Sequence, residues 1–223
     1  MLLSKCAVNL LRMCRYFLRK IDFVTSSQPL ENPQTRAIFL DRDGTLGGAG
    51  GFCHPDEFEF YDFTFEAIKL INQAGFKAVV VTNQSRIAKG EFTFLELQNS
   101  IDRLNSSLEQ HGAKLDAWFI CPHRRSDNCD CKKPKPGLFL EAATNLEIDP
   151  SHSFMIGDHG ENDMLSGAAA GCKPILVLTG LGGGSIGEFR RTWENIEPAF
   201  VAKNVLEAVK WILESQTSFL PFT

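Results

Sequence analysis

From residue 37 onward, short apolar segments alternate with longer segments in which apolar residues recur at helical spacing. The apolar segments predict strands at AIFL (37–40), KAVVVTN (77–83), DAWFICP (116–122), SFMIGD (153–158) and KPILVLTG (173–180). The predicted helices are 64–74, 93–111, 137–146, 162–170 and 204–215. Apolar strands separated by helices are typical of a parallel sheet covered on both faces. The pattern therefore predicts an α/β fold with a Rossmann-like, doubly wound parallel sheet.

The two ends of the chain depart from this pattern. Residues 1–21 have an apolar stripe with basic residues opposite it, and residues 22–36 have the composition of a linker. This basic amphipathic segment is consistent with a helix packed on the domain, residues upstream of the true start codon, a membrane-surface contact or a targeting peptide. We expect an N-terminal region at 1–36, a folded domain at 37–215 and a tail at 216–223.

Composition and charge narrow the classes of function. The 223 residues are 43% hydrophobic and carry a net charge of −4, which suits a globular domain and gives no overall signal for nucleic-acid binding. No apolar run approaches the roughly 20 residues of a transmembrane helix. Three of the seven cysteines form one cluster, and the other four are scattered along the chain, as in reduced cytoplasmic proteins. We therefore expect a cytoplasmic protein.

Polar residues of complementary chemistry follow the predicted strands. Two acids follow the first strand, a Thr-Asn-Gln-Ser segment follows the second, a lysine lies beyond the third, and two acids follow the fourth. These residues are Asp41 and Asp43, 82–85, Lys133, and Asp158 and Asp163. Because ligands of such sheets bind at the carboxyl ends of the strands, the four signals predict one functional site at that edge.

Phosphoryl transfer is the chemistry that these residues favour. A phosphate monoester is an anion, so a carboxylate nucleophile approaches it only with a cation nearby, and Mg²⁺ prefers oxygen ligands. Asp41 would attack and, with Asp158, supply carboxylates to Mg²⁺. Lys133, the Thr82 hydroxyl and nearby backbone amides would neutralise phosphate oxygens. Asp43 would move protons to the leaving group and from water.

The first motif also contains the two residues that follow Asp43, which are Gly44 and Thr45. Gly44 would allow a sharp backbone turn. The Thr45 hydroxyl would hold Asp43 through a side-chain hydrogen bond.

The motifs DRDGT, TNQS, KKPKPG and GDHGEND together resemble the haloacid dehalogenase superfamily of Mg²⁺-dependent phosphatases. The resemblance covers residues 37–180 and implies an aspartyl-phosphate mechanism. It implies Asp41, Asp43, Thr82 and Lys133 as catalytic residues. It implies Asp41, Asp43, Asp158 and Asp163 around the magnesium. The intervals between the motifs leave no room for the cap domain that other members insert, so we expect an open site.

A cluster of cysteines precedes Lys133. Cys121 and His123, followed by Cys129 and Cys131, offer three thiolates and one imidazole, which matches a closed structural zinc site in a loop at 121–136. Two alternatives are a reduced cluster without metal and a zinc knuckle that contacts nucleic acid through adjacent lysines. Bound zinc would fix the backbone that directs Lys133 toward phosphate.

The zinc loop is similar to that of a subgroup containing heptose bisphosphate phosphatases and histidinol-phosphate phosphatases. TNQSRIAKGEFT, KPKPG and GFCHPDEFEF are closer to the heptose enzymes. The resemblance implies a small phosphorylated metabolite as partner, with substrate contacts from Asn83, Ser85, Arg86 and Lys132. Another phosphometabolite, and a zinc-stabilised binding module without catalysis, remain alternatives. The glycine-rich segment 180–188 is expected to be a flexible loop at the carboxyl edge.

Overall fold

The computed structural model of the chain describes residues 35–51 and 53–217. Almost all of the predicted N-terminal region 1–36, including its basic segment 1–21, lies outside these residues. So does most of the predicted tail at 216–223.

Six strands and seven α-helices make up the described domain. The strands are β1 Ala37–Leu40, β2 Lys77–Asn83, β3 Ala117–Cys121, β4 Phe154–Gly157, β5 Lys173–Val177 and β6 Phe200–Ala202. The α-helices are α1 Asp62–Gln73, α2 Arg86–Lys89, α3 Phe94–Gln110, α4 Gly137–Leu146, α5 Leu165–Ala169, α6 Gly182–Ile186 and α7 Val205–Thr217. A π-helical turn, Gly160–Met164, leads into α5. Short 3₁₀ turns occupy Pro55–Glu57, Arg125–Asp127, Pro150–His152 and Arg190–Trp193.

The six strands form one parallel sheet in the order β3-β2-β1-β4-β5-β6. β1 lies inside the sheet, where Phe39 pairs with Val79 of β2 and Met155 of β4. The order reverses on either side of β1, so the crevice of a doubly wound sheet opens above β1 and β4. This confirms the predicted fold class and places the first and fourth motifs side by side.

The core has two main layers because alternate strand residues face opposite sides of the sheet. Ile38 and Leu40 of β1 pack in the layer that contains α1, α3 and α7. Ala37 and Phe39 pack in the layer that contains α4. All four residues of β1 are buried, which explains why its sequence is apolar without interruption.

Several predicted elements need correction. The segment 180–188 is not a flexible loop throughout, because Gly182–Ile186 forms the short helix α6. β6 was not predicted, since its three residues are too few to stand out as an apolar run. The predicted helix at 162–170 begins instead with the π-helical turn at Gly160.

No large insertion separates the motifs in the described part of the chain. Between Asp43 and Thr82 it contains a 3₁₀ turn, α1 and β2, and between Thr82 and Lys133 it contains α2, α3, β3 and the zinc loop. The prediction that the fold lacks a cap domain is confirmed for this range. Among the helices of residues 35–217, none has the length and apolar character needed to cross a membrane.

Candidate active site

Three acids from the first and fourth motifs converge at the carboxyl edge of the sheet. Carboxylate oxygens of Asp41, Asp158 and Asp163 lie within 4.8 Å of one another, and all three residues are buried. Asp41 follows β1 and Asp158 follows β4, which pair directly. Nothing in folding favours three buried carboxylates in contact, whereas a divalent cation with oxygen ligands suits them.

Lys133 lies inside this acidic group. Its ammonium nitrogen is 2.6 Å from Asp41 Oδ1 and 2.6 Å from Asp163 Oδ1, and it also donates to the carbonyl of Val81 at 2.9 Å. The lysine is 2% exposed. Its single positive charge is therefore shared between two of the three carboxylates.

The electrostatics of these groups follow from burial and proximity. Burial, strengthened by Asp163 and Asp43 and opposed by Lys133, raises the pKa of Asp41 to about 7. Burial, followed by the charges of Asp41 and Asp163, raises the pKa of Asp158 to about 8. Burial alone would lower the pKa of Lys133, but Asp163 and Asp41 together raise it above its ordinary value. Buried carboxylates that resist full ionisation in this way are a favourable site for a cation, because its positive charge stabilises their ionised form.

Backbone crowding fixes the position of Asp158. Its Oδ2 accepts a hydrogen bond of 2.7 Å from the amide of Leu181. Gly44 and Gly180 approach the same oxygen so closely that a Cβ on either would lie 2.1 Å from it. Both glycines have positive φ, +86° and +56°. The predicted sharp turn at Gly44 is present, and the segment from 180 supplies part of the site.

Asp43 lies apart from the three clustered carboxylates. Its Oδ2 accepts hydrogen bonds from Arg42 Nη1 at 3.3 Å and Gln84 Nε2 at 2.9 Å. Burial raises the pKa of Asp43, and the charge of Arg42 opposes that increase. The prediction that Thr45 holds Asp43 is wrong, because the buried Thr45 hydroxyl has no hydrogen-bond partner among the described residues.

Sequence reasoning missed Arg42 and Gln84 as neighbours of Asp43. Both lie inside predicted motifs, at DRDGT and TNQS, but the spacing alone does not show which way their side chains point. Gln84 Nε2 also donates to the Thr82 hydroxyl at 3.0 Å. The second motif therefore contacts the first through a glutamine.

A cleft of about 560 Å³ opens beside the acidic group. The predicted residues Asn83, Ser85, Arg86 and Lys132 line it. The side-chain amide of Asn83, however, is paired with the backbone of Lys133 in both directions, at 3.0 and 3.1 Å. Asn83 thus fixes the lysine.

Further cationic residues line the same cleft and were not predicted. They are Arg124, Arg125 and Lys135, and the imidazole of His159 lines the cleft beside them. Arg124 donates to the carbonyl of Ala88 at the end of α2, and Arg125 Nη2 is 3.2 Å from Glu161 Oε1. The adjacent basic residues 124 and 125 in the zinc loop were the sequence signal for this surface.

The four predicted zinc ligands come together. The Sγ atoms of Cys121, Cys129 and Cys131 are 3.2 to 3.6 Å apart, and His123 Nδ1 is 3.6 Å from Cys121 Sγ and 3.2 Å from Cys131 Sγ. Sulfurs bonded at about 2.3 Å to one tetrahedral zinc are separated by roughly 3.8 Å, whereas disulfide sulfurs are about 2.0 Å apart. The donors therefore suit a closed tetrahedral metal site. Hydrogen bonds from Cys131 and His123 lower the pKa of Cys121 to about 5, and the same contact with Cys121 raises the pKa of Cys131, so one negative charge is shared between these two sulfurs.

Comparisons with known proteins agree with this geometry. Residues 130–208 match the HAD-hydrolase-like family model. The D-glycero-beta-D-manno-heptose-1,7-bisphosphate 7-phosphatase of Pasteurella multocida is 44% identical over 153 residues, which cover 65% of this chain and 83% of that protein. The protein of the same name from Escherichia coli O6:H1 is 41% identical over 152 residues, covering 65% of this chain and 80% of that protein.

One solved structure is similar to this chain over nearly the whole length of the solved chain. The D,D-heptose 1,7-bisphosphate phosphatase from B. bronchiseptica, complexed with magnesium and phosphate, has a TM-score of 0.72 and 32% sequence identity, covering 81% of this chain and 99% of that chain. The chain therefore belongs to the haloacid dehalogenase-like phosphatases. Its class of reaction is phosphoric monoester hydrolysis, as the four motifs predicted.

Proposed function

We propose that this protein is a Mg²⁺-dependent phosphatase that removes one phosphate from a sugar bisphosphate of the D-glycero-D-manno-heptose 1,7-bisphosphate type. The observation that carries the proposal is the convergence of Asp41, Asp158 and Asp163 around Lys133. The names of the similar proteins supply the substrate class. We assign this activity to the domain at 37–215.

Asp41 is the nucleophile in this proposal. Its carboxylate oxygen forms a bond to phosphorus while the bond from phosphorus to the leaving oxygen breaks, which gives an aspartyl-phosphate. Asp43 transfers a proton to the leaving oxygen. Asp43 then accepts a proton from the water that attacks phosphorus, which releases phosphate and restores Asp41.

The other residues stabilise charge. The donor set of Asp41, Asp158 and Asp163 is all carboxylate oxygen, which fits Mg²⁺, and Asp43 lines the same pocket. When bound, Mg²⁺ supplies positive charge that offsets the phosphate and the carboxylates. Lys133 and the Thr82 hydroxyl neutralise and orient phosphate oxygens.

Zinc has a structural role in this proposal. Four protein donors leave no open position for substrate or water, so Cys121, His123, Cys129 and Cys131 would stabilise the loop and not catalyse. Lys135 supports the same loop, because its ammonium donates to the carbonyl of Cys129 at 2.9 Å. Lys133 lies within this loop, two residues beyond Cys131, so the rigidity of the loop fixes a catalytic side chain.

The cationic cleft accommodates the second phosphate of the substrate. Arg86, Arg124, Arg125 and Lys132 place positive charge around a volume large enough for a phosphorylated sugar. The two phosphates therefore have separate sites, one at Asp41 and one in the cleft.

Phosphate release from a panel of esters tests the proposal. We expect the heptose bisphosphate to be hydrolysed with a higher kcat/KM than sugar monophosphates or histidinol phosphate, and only with Mg²⁺. Asp41→Asn should lower kcat by at least ~10³-fold because the nucleophile is lost. The control Asp102→Asn changes an exposed acid on α3 and should leave kcat unchanged. Full activity in Asp41→Asn contradicts the covalent mechanism.

A further inference from the structure

Arg42, between the two acids of the first motif, is completely buried. The centre of its guanidinium lies 4.1 Å from the centre of the Phe58 ring. Its Nε and Nη2 atoms have no hydrogen-bond partner within the described residues. A buried charge with two nitrogens unused is costly, and packing alone would favour an apolar residue at this position. The cost is explained if the charge serves the neighbouring carboxylate.

Asp43 Oδ2 is held from two sides. Arg42 Nη1 approaches it at 3.3 Å from the end of β1. Gln84 Nε2 approaches it at 2.9 Å from beyond the end of β2, and the same nitrogen is tied to the Thr82 hydroxyl at 3.0 Å. Arg42 and Gln84 are both buried. The carboxylate of Asp43 is therefore restrained by groups that are themselves restrained.

We propose that Arg42 and Gln84 are positioning residues that hold the Asp43 carboxylate where it delivers a proton to the leaving oxygen. The inference rests on the proposed function, in which Asp43 is the proton donor. A general acid acts only within hydrogen-bond reach of the atom it protonates, and a small displacement lowers the rate steeply. Arg42 also places a positive charge beside two neighbouring acids that otherwise repel each other.

The identity of the leaving group separates this role from a merely structural one. A sugar alkoxide leaves only with a proton, whereas p-nitrophenolate is a weak base and leaves without one. Since kcat/KM covers steps up to the first irreversible one, cleavage of the ester bond, the later attack of water does not enter it. A misplaced Asp43 therefore lowers kcat/KM for the sugar phosphate selectively.

The test compares Arg42→Met and Gln84→Met with wild-type protein on two substrates. These are the sugar phosphate that wild-type protein hydrolyses best and p-nitrophenyl phosphate. We expect each variant to lose about 10- to 100-fold in kcat/KM on the sugar phosphate, part of the ~10²- to 10⁴-fold that general acids contribute. On p-nitrophenyl phosphate we expect Arg42→Met to lose less than about threefold in kcat/KM, and Gln84→Met, which also removes the hydrogen bond to the Thr82 hydroxyl, to lose less than it loses on the sugar phosphate.

Arg42→Lys keeps the charge and should lose less than Arg42→Met. It also serves as the test if the methionine variant fails to fold. In an Asp43→Asn background, Arg42→Met should cause no further loss, because its effect passes through Asp43.

The matched control is Arg36→Met at the opposite end of β1. Arg36 lies over a phenylalanine ring, Phe76, at 4.4 Å, and its Nη1 donates to Gln216. We expect this variant to have the wild-type kcat/KM on both substrates. Equal losses on both substrates, or no loss on either, in the Arg42 and Gln84 variants would overturn the inference while leaving the proposed function intact. A wild-type protein that hydrolyses no phosphate ester would contradict the proposed function, and the inference with it.

Discussion

At the scale of single residues, the acids of the site could be predicted from the sequence, because they are residue types that bind metal and they follow the ends of predicted strands. Asp41 and Asp158 follow adjacent parallel strands, so their meeting follows from the sheet order. The roles of Arg42 and Gln84 could not be predicted in this way. Their contacts with Asp43 depend on side-chain directions that packing against Phe58 and Thr82 decides.

The acidic cluster predicts how stability depends on pH. The folded-state pKa values of Asp41 and Asp158, about 7 and 8, lie above the value of 3.8 for an unperturbed aspartate. The folded protein therefore binds more protons than the unfolded chain between about pH 4 and pH 8, and its stability falls as pH rises through that window.

Magnesium should reverse this loss. Thermal unfolding in chelator should give a lower Tm at pH 8 than at pH 5, and saturating Mg²⁺ should raise the Tm more at pH 8, where the carboxylates are free to bind it. An equal Mg²⁺ effect at both pH values would show that the cation binds elsewhere.

At the scale of elements, apolar runs of four or more residues were sufficient to predict five strands. Their ends shifted by a few residues, as at β5, which stops at Val177 and not at residue 180. The prediction of a flexible loop after β5 is wrong because glycines also allow close packing of the backbone. Gly180 instead permits close approach to Asp158, and the Ser185 hydroxyl donates to the carbonyl of Asp158 at 2.8 Å.

Two glycines of this segment give opposite predictions. Gly180→Ala places a methyl group 2.1 Å from Asp158 Oδ2 on a backbone with φ of +56°. We expect it to destabilise the protein by about 1–3 kcal/mol and to raise the Mg²⁺ concentration that gives half-maximal activity.

Gly183→Ala is the matched control, because a Cβ at that position of α6 meets nothing within 4 Å. It should leave the Mg²⁺ requirement unchanged and increase stability by up to about 1 kcal/mol. Thermal unfolding and Mg²⁺ titration of activity measure both variants. Identical behaviour of the two would refute the close-approach explanation.

At the scale of the whole molecule, the zinc loop connects β3 at one edge of the sheet to the acids above β1. β2 lies between these strands, and the loop crosses it: the backbone of Lys133 pairs with Asn83 at the end of β2, and its ammonium reaches Asp41 after β1. Removing zinc should therefore reduce both stability and catalysis.

Elemental analysis and chelation test this expectation. We expect one zinc per chain, and its removal should lower the Tm by several degrees and kcat by at least ~10-fold, with both restored by zinc and not by Mg²⁺. Cys129→Ser should reproduce the loss, whereas Cys172→Ser changes a buried thiol distant in sequence from the loop and tests for a general effect of losing a cysteine. Unchanged activity after complete zinc removal would assign the cluster no part in positioning Lys133.

The four candidate zinc ligands bracket a short stretch of the loop that faces the cleft. Cys121 and His123 lie at the start of the loop and Cys129 and Cys131 lie shortly before Lys133, while Arg124, Arg125 and Asn128 between them line the cleft. Substitutions at these three positions would leave the four candidate ligands and Lys133 in the sequence. We therefore expect such substitutions to change substrate preference more than they change the class of reaction.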